Sequence, residues 1–284
     1  MKGKLLFTIL YVLSGQLLGQ DTTAANSSNI QMSEVELIKE NISMITNRPG
    51  ATEASRAVYH KGFQMEIGFE YGNVPERKGS DKHSQYLYLP QFNLQYGVSK
   101  NVELRVASTN YAVREQINNG YTQFNYNLDN IVVGAKINLL DAEKWKPELA
   151  LLISQSFPSN TSDYRRYWPT TFLFAWAYSL PKNFSLSGNL AYINEKLSYD
   201  KTIDVSHGWS YTVNAGYGIK HNLGVFAEVF GSDSSADDTA VSLTLDGGIW
   251  YRINPKFQID GSAGYGFDVG SNYFNVGLSY LFLK

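Results

Sequence analysis

The stretch GFQMEIGFEYG, Gly62 to Gly72, decides the fold. Phe63, Met65, Ile67, Phe69 and Tyr71 fall on one face of an extended chain, and Gln64, Glu66, Gly68 and Glu70 fall on the other. Alternation at period two marks a β-strand with one apolar and one wet side. Two architectures use such a strand in opposite senses. A soluble sandwich turns the apolar face to its core, whereas a membrane barrel turns it to lipid and keeps the acids inside. One strand does not choose between them, but the whole chain does.

From residue 62 onward twelve stretches alternate in the same way, among them Tyr86, Tyr88, Phe92, Leu94 and Tyr96, then Ile131, Val133, Ala135, Ile137 and Leu139, and finally Phe274, Val276, Leu278, Tyr280 and Phe282. No Asp, Glu, Lys or Arg stands on any of these apolar faces. Gly188, Gly247 and Gly261 interrupt them and read as kinks. The connections alternate in length. GVSKN, DAEKWKP, PKN, KHN and NPK are short; residues 72–84, 111–127, 158–168, 194–207 and 231–240 are long and polar, with a smaller connection at 268–272. Short turns on one side and long loops on the other are the mark of an outer-membrane barrel. Aromatic residues gather at both ends of the strands, Phe63, Tyr96, Phe184 and Phe282 by the short turns, Tyr71, Tyr192, Tyr265 and Phe274 by the long loops, as two interfacial girdles require. The expected fold is all-β, a twelve-stranded antiparallel transmembrane β-barrel, with both chain ends on the short-turn, periplasmic side.

Composition agrees. Only 18% of residues are charged, 14% are aromatic, and there are 20 Tyr and 24 Gly. The absence of cysteine excludes disulfides and thiolate metal sites, and a net charge of −2 without a dense Lys/Arg run excludes a nucleic-acid surface. Lys2 and Lys4 precede the apolar run Leu5 to Leu13, the order of a secretory signal peptide, and that run is half the length of a membrane-spanning helix. The expected organisation is a signal over 1–20, a periplasmic or plug segment over 21–61, and a barrel over 62–284.

The inward face carries seven acids, Glu66, Glu70, Glu103, Glu148, Glu228, Asp246 and Asp260, opposed there by Arg105 and Lys136. Such an excess has two outlets. It attracts cations along an aqueous path, or a bound basic segment neutralises it, because a buried unpaired charge is costly. The second is preferred, with residues 42–61 as plug or latch: Arg48, Pro49, Glu53 and Arg56 form its centre, and Lys61 is a further candidate cation.

Catalytic readings find little. His60 and His83 lie outside the strands, and His207 and His221 sit at opposite ends of one strand. No Ser–His pair, HExxH motif or thiol presents itself, so no catalytic residue, metal or cofactor is expected. GYGFDVG, 264–270, lies in alternating strand with no helix after it, unlike a nucleotide loop, and SDSSADD, 232–238, reads as a solvated loop.

Two further stretches carry a resemblance. ITNRPGATEASRAVYHKGFQMEIGF, 45–69, is similar to the opening of the outer-membrane transporter family named for phenol meta-cleavage pathway clusters, which shows an Asp-Arg-Pro stretch, a Thr-Glu pair and a Q-x-E-x-G strand. The matching positions are Arg48, Pro49, Thr52, Glu53, Gln64, Glu66 and Gly68; Asn47 stands where the family has Asp. LDGGIWYRINPKFQIDGSAGYG, 245–266, resembles the family's penultimate hairpin. The resemblance implies a barrel that passes small, often hydrophobic or aromatic compounds. The final FNVGLSYLFLK resembles the recognition signal of the outer-membrane insertion machinery. Expected partners are therefore the lipid bilayer with its lipopolysaccharide, that machinery, and a small solute. Passive transport leads; a closed structural or adhesive barrel is the alternative, and an interfacial hydrolase the lesser one.

Overall fold

A computed structural model describes residues 43–75, 78, 83–116, 122–128, 130–143, 145–157, 165–199, 202–234 and 242–283. The expected signal, 1–20, lies outside the described residues. Twelve strands follow one another: β1 (Gly62–Pro75), β2 (His83–Gly97), β3 (Val102–Gln116), β4 (Thr122–Leu128 continued by Ile131–Leu140), β5 (Glu148–Phe157) and β6 (Arg165–Tyr167 continued by Thr170–Ser179). The second half comprises β7 (Phe184–Tyr199), β8 (Thr202–Lys220), β9 (Leu223–Ser234), β10 (Ser242–Asn254), β11 (Phe257–Gly266) and β12 (Asn272–Leu283). Each pairs antiparallel with its sequence neighbours, and β12 pairs with β1 from Gly62↔Leu283 to Asn73↔Asn272. The sheet closes on itself and has no free edge, the condition for strands to cross hydrocarbon with every backbone group bonded.

The wall is inverted relative to a soluble protein. Leu104 and Phe274 are 50% and 56% exposed on its outside, while Gln64, Gln95, Gln258 and Ser279 are wholly buried inside. Rings meet in pairs at the short-turn rim, Phe63 with Phe282, Phe184 with Tyr217, and Phe257 with Tyr280.

Three sequence expectations need correction. Much of the long connections is strand: β3 runs to Gln116 and β4 starts at Thr122, and β7 runs to Tyr199 with β8 starting at Thr202. The apolar–polar alternation fades in these stretches although backbone pairing continues. The outward glycines are not kinks, because the ladders pass unbroken through Gly188, Gly247 and Gly261. Gly188 instead faces Trp176 across the β6–β7 ladder, with the indole lying where a Cβ would stand.

Finally, Tyr86 and Tyr88 do not face lipid. Leu89 and Pro90 form a bulge in β2 opposite Phe69, the register passing from Gly68↔Gln91 to Glu70↔Tyr88. One extra residue reverses the phase of everything beyond it. Leu89 is therefore outside, at 43% exposure, and Tyr86 turns inward, its hydroxyl donating to Glu70 at 3.0 Å.

Candidate functional site: a bonded segment inside the barrel

Residues 43–58 lie inside the barrel, and all but Ser43 and Arg56 are buried. No regular element forms there, so its backbone groups need partners from the wall, where Gln, Asn, Ser, Thr and acids supply them. The segment enters beside the β10–β11 turn, where the Met44 N–H donates to the Pro255 carbonyl at 2.8 Å. Met44 packs there on Val58 and Leu281, which joins the two ends of the segment to the closing strand.

Arg48 crosses to the β11–β12–β1 wall. Its Nε donates to Asp260 at 3.2 Å, and its Nη2 donates to Asn275, which in turn donates to Glu70 at 3.1 Å. The guanidinium lies against two inward glycines, Gly68 and Gly277, that stand directly opposite each other in the β1–β12 ladder. A Cβ on either would overlap it. These glycines form a seat cut to the planar guanidinium rather than a turn. We expect Gly277→Val to displace Arg48 at a cost of about 1–3 kcal/mol from overpacking. Thermal unfolding of the refolded protein, followed by the shift in gel mobility on heating, checks this against the wild type.

The chain then bonds to the far wall. Ala51 N–H and Thr52 hydroxyl both donate to Glu228, and Thr52 also meets Thr212. Glu53 and Asn189 exchange two bonds, the Glu53 N–H to Asn189 Oδ1 and the Asn189 amide to the Glu53 carbonyl. The Glu53 carboxylate is wholly buried between two cations, with Arg105 at 2.5 Å and Lys136 at 3.1 Å; Arg105 is shared with Glu103. Arg56 pairs with Glu148, which also accepts from Ser55. The return leg is held by Ala57 N–H to Asn138 and Val58 N–H to Glu103, both at 2.9 Å.

Of the expected inward residues, Glu66, Glu103, Glu148, Glu228, Asp260, Arg105 and Lys136 all meet this segment; Glu66 accepts the Asn47 N–H at 2.7 Å. Glu70 and Asp246 lie above it, held by tyrosine hydroxyls, Tyr86 on Glu70 and Tyr273 on Asp246 at 2.6 Å. Pro49 is buried and its carbonyl accepts from Ser262. Lys61 does not join the set: it is exposed at the start of β1, with its N–H on the Gly97 carbonyl, because β1 leaves the barrel floor there. Arg56 keeps a side chain 30% open to solvent. Arg56→Ala should therefore cost only about 1–2 kcal/mol, since water replaces the guanidinium and Ser55 still donates to Glu148.

Sequence reasoning missed several lining residues. Arg252 is buried, stacked over inward Trp250 at 4.9 Å and donating to Ser43 at 2.8 Å. Its position between outward Tyr251 and Ile253 was the available signal. An apolar patch of Ala150, Leu152, Leu173, Ala175 and Ala191 also faces inward from β5, β6 and β7, where a polar wall was expected. Among the described residues no group of three or more His, Asp or Glu side chains is placed to hold a metal ion. His207 stacks on Tyr192 on the outside of the wall, with its Nδ1 2.7 Å from the tyrosine hydroxyl, and His221 sits in a turn.

Residues 46–283, from the inner segment to the closing strand, match the family described as "Putative MetA-pathway of phenol degradation". The chain belongs to that family. No curated protein matches it. Among solved structures, an outer membrane channel from Pseudomonas putida F1 is similar at TM-score 0.66 and 9% identity, covering 80% of this chain and 98% of the other. A monoaromatic hydrocarbon channel, CymD, is similar at TM-score 0.46 and 11% identity, covering 80% and 90%. The family and the fold place this member in the outer membrane as a β-barrel.

Proposed function

We propose that the protein is a passive channel for small solutes, held shut at its periplasmic end by residues 43–58. The observation that carries this reading is the way the segment is held. It is fastened mainly by separable polar bonds, to β1, β3, β4, β5, β7, β8, β9, β10, β11 and β12, with one small apolar cluster of Met44, Val58 and Leu281 at its ends. A structural barrel has no need of this arrangement. Side chains alone fill a narrow closed one. Arg48, Pro49, Glu53 and Arg56 act as the latch, and the wall acids as its keepers.

The class of solute follows from the lining and the kinship. The apolar patch on β5–β7 and the inward rings of Tyr86, Tyr88 and Tyr273 suit hydrophobic or aromatic molecules, and the family's description concerns phenol degradation. Two relations support a channel: the fold is that of an outer membrane channel, and the acids give the lumen a cation preference once the latch moves. Planar-bilayer recording of the refolded mature protein is the test. Brief cation-selective openings, lengthened when the latch is weakened, are expected. A folded barrel that stays silent in every latch variant would instead make it a closed structural element.

A further inference from the structure

We propose that the short-turn rim of the barrel binds anionic phospholipid headgroups of the inner leaflet through a ring of lysines. The proposal is independent of whether the lumen conducts.

The ring is written into the turns. Lys100 lies between β2 and β3, Lys146 between β4 and β5, Lys182 between β6 and β7, and Lys256 between β10 and β11. Lys220 ends β8 at its turn to β9. Lys61 stands where the chain closes, just before β1 and next to the end of β12. Every short-turn position around the wall thus carries a lysine, and all but the half-buried Lys256 are exposed. Among the described residues of these turns the only acids are Asp141 and Glu143, both between β4 and β5. They lie 3.9 Å from Lys100 and 3.1 Å from Lys146. The other four lysines have no acid partner among the described residues.

Turn geometry does not account for the lysines. The turns are held by other groups: the Leu180 N–H donates to the Phe184 carbonyl, the Val98 N–H to the Val102 carbonyl, and the Lys256 N–H to the Asn254 side chain. Two lysines even sit where their residue type is disfavoured. Lys61 and Lys182 have φ of 62° and 61°, the left-handed region that suits Gly or Asn better. What these positions share is the charge on a long, free stem.

The kind of partner follows from the distribution and from the neighbours. A soluble acidic protein would meet one arc of the rim, whereas these charges surround all of it, as a shell of lipid does. They also stand beside the aromatic girdle. Lys61 is close in the chain to Phe63 and Lys182 to Phe184, both rings facing outward, and Lys146 follows Trp145, which is 78% exposed. Such rings settle at the membrane interface, and lysine stems run along apolar surface to reach the headgroups. One anionic phospholipid satisfies both features, its chains against the ring and its phosphate against the ammonium.

The test places the refolded mature protein in phosphatidylcholine vesicles. Nitroxide-labelled phosphatidylglycerol and phosphatidylcholine are then compared at the barrel surface by electron spin resonance. Phosphatidylglycerol should be favoured about fivefold beside each lysine, and roughly twofold when averaged over the lipid shell. High salt should reduce the preference, because it screens exposed charges. The comparison protein carries Lys61→Asn and Lys182→Asn, with Lys100→Gln, Lys146→Gln, Lys220→Gln and Lys256→Gln. Asn suits the two left-handed positions, so gel mobility before and after heating should show a folded barrel. In it the preference should vanish. A wild type without preference, or a folded variant that keeps it, overturns the proposal. So would binding of the wild type but not the variant to isolated peptidoglycan, if both prefer the anionic lipid equally: the ring would then read the cell wall.

Discussion

Arg48→Ala should convert brief openings into long ones. The guanidinium is buried, bonded to Asp260 and Asn275, and seated on Gly68 and Gly277. Removing it leaves Asp260 buried without its cation, and breaking one side of a buried pair costs about 3–5 kcal/mol. That penalty falls on the closed state alone if the segment swings out and water reaches Asp260. At 1.4 kcal/mol per tenfold, the closed-to-open ratio should fall on the order of a hundredfold or more. Bilayer current gives the open fraction directly, and gel mobility before and after heating confirms that the wall has formed. Arg48→Lys should restore only part of the closure, because a point charge cannot reproduce the planar, forked contact with both partners. An Arg48→Ala protein that folds and shows wild-type current would mean that Arg48 holds nothing shut.

Glu53→Ala is expected to have a comparable effect by the opposite charge. Here the segment supplies the acid and the wall the cations, Arg105 and Lys136. Truncation leaves Lys136 with the Arg56 carbonyl and the neighbouring charge of Glu103, which it then shares with Arg105. The released positive charge should also turn the open lumen toward anions, so selectivity, read as the reversal potential in a salt gradient, should move opposite to the shift in Arg48→Ala. Lys136→Met in the Glu53→Ala background removes one stranded cation and should recover part of the loss in thermal stability, since a pair removed together costs less than half a pair.

These two substitutions also mark how much was legible in the sequence. Period-two parity is local, so it reported correctly which side of each strand the acids occupy, and charge accounting then pointed to Arg48 and Arg56 as their partners. The same accounting put Glu53 in the latch but named no cation for it, and it counted Lys61 among the partners, which the structure leaves exposed. Glu53 lies next to nothing in sequence that announces Arg105 or Lys136, 52 and 83 positions away. The face occupied by Tyr86 was misread because parity carries no memory of an inserted residue; Pro90 in the middle of a strand was the available warning. Leu152 and Leu173 were overlooked because β5 and β6 are apolar on both sides in that stretch, where alternation loses contrast. The arms of the long hairpins were missed for a related reason, since their sequence alternates too weakly to mark a strand.

The threading of residues 43–58 through the barrel also constrains its birth. The segment precedes β1 in the chain and is bonded to walls that are synthesised as much as 227 residues later, and β12 is the last of them. Its contacts with Asn275 and Leu281 are therefore completed only when β12 is in place beside β1, so one strand both closes the ring and finishes the lining of its interior.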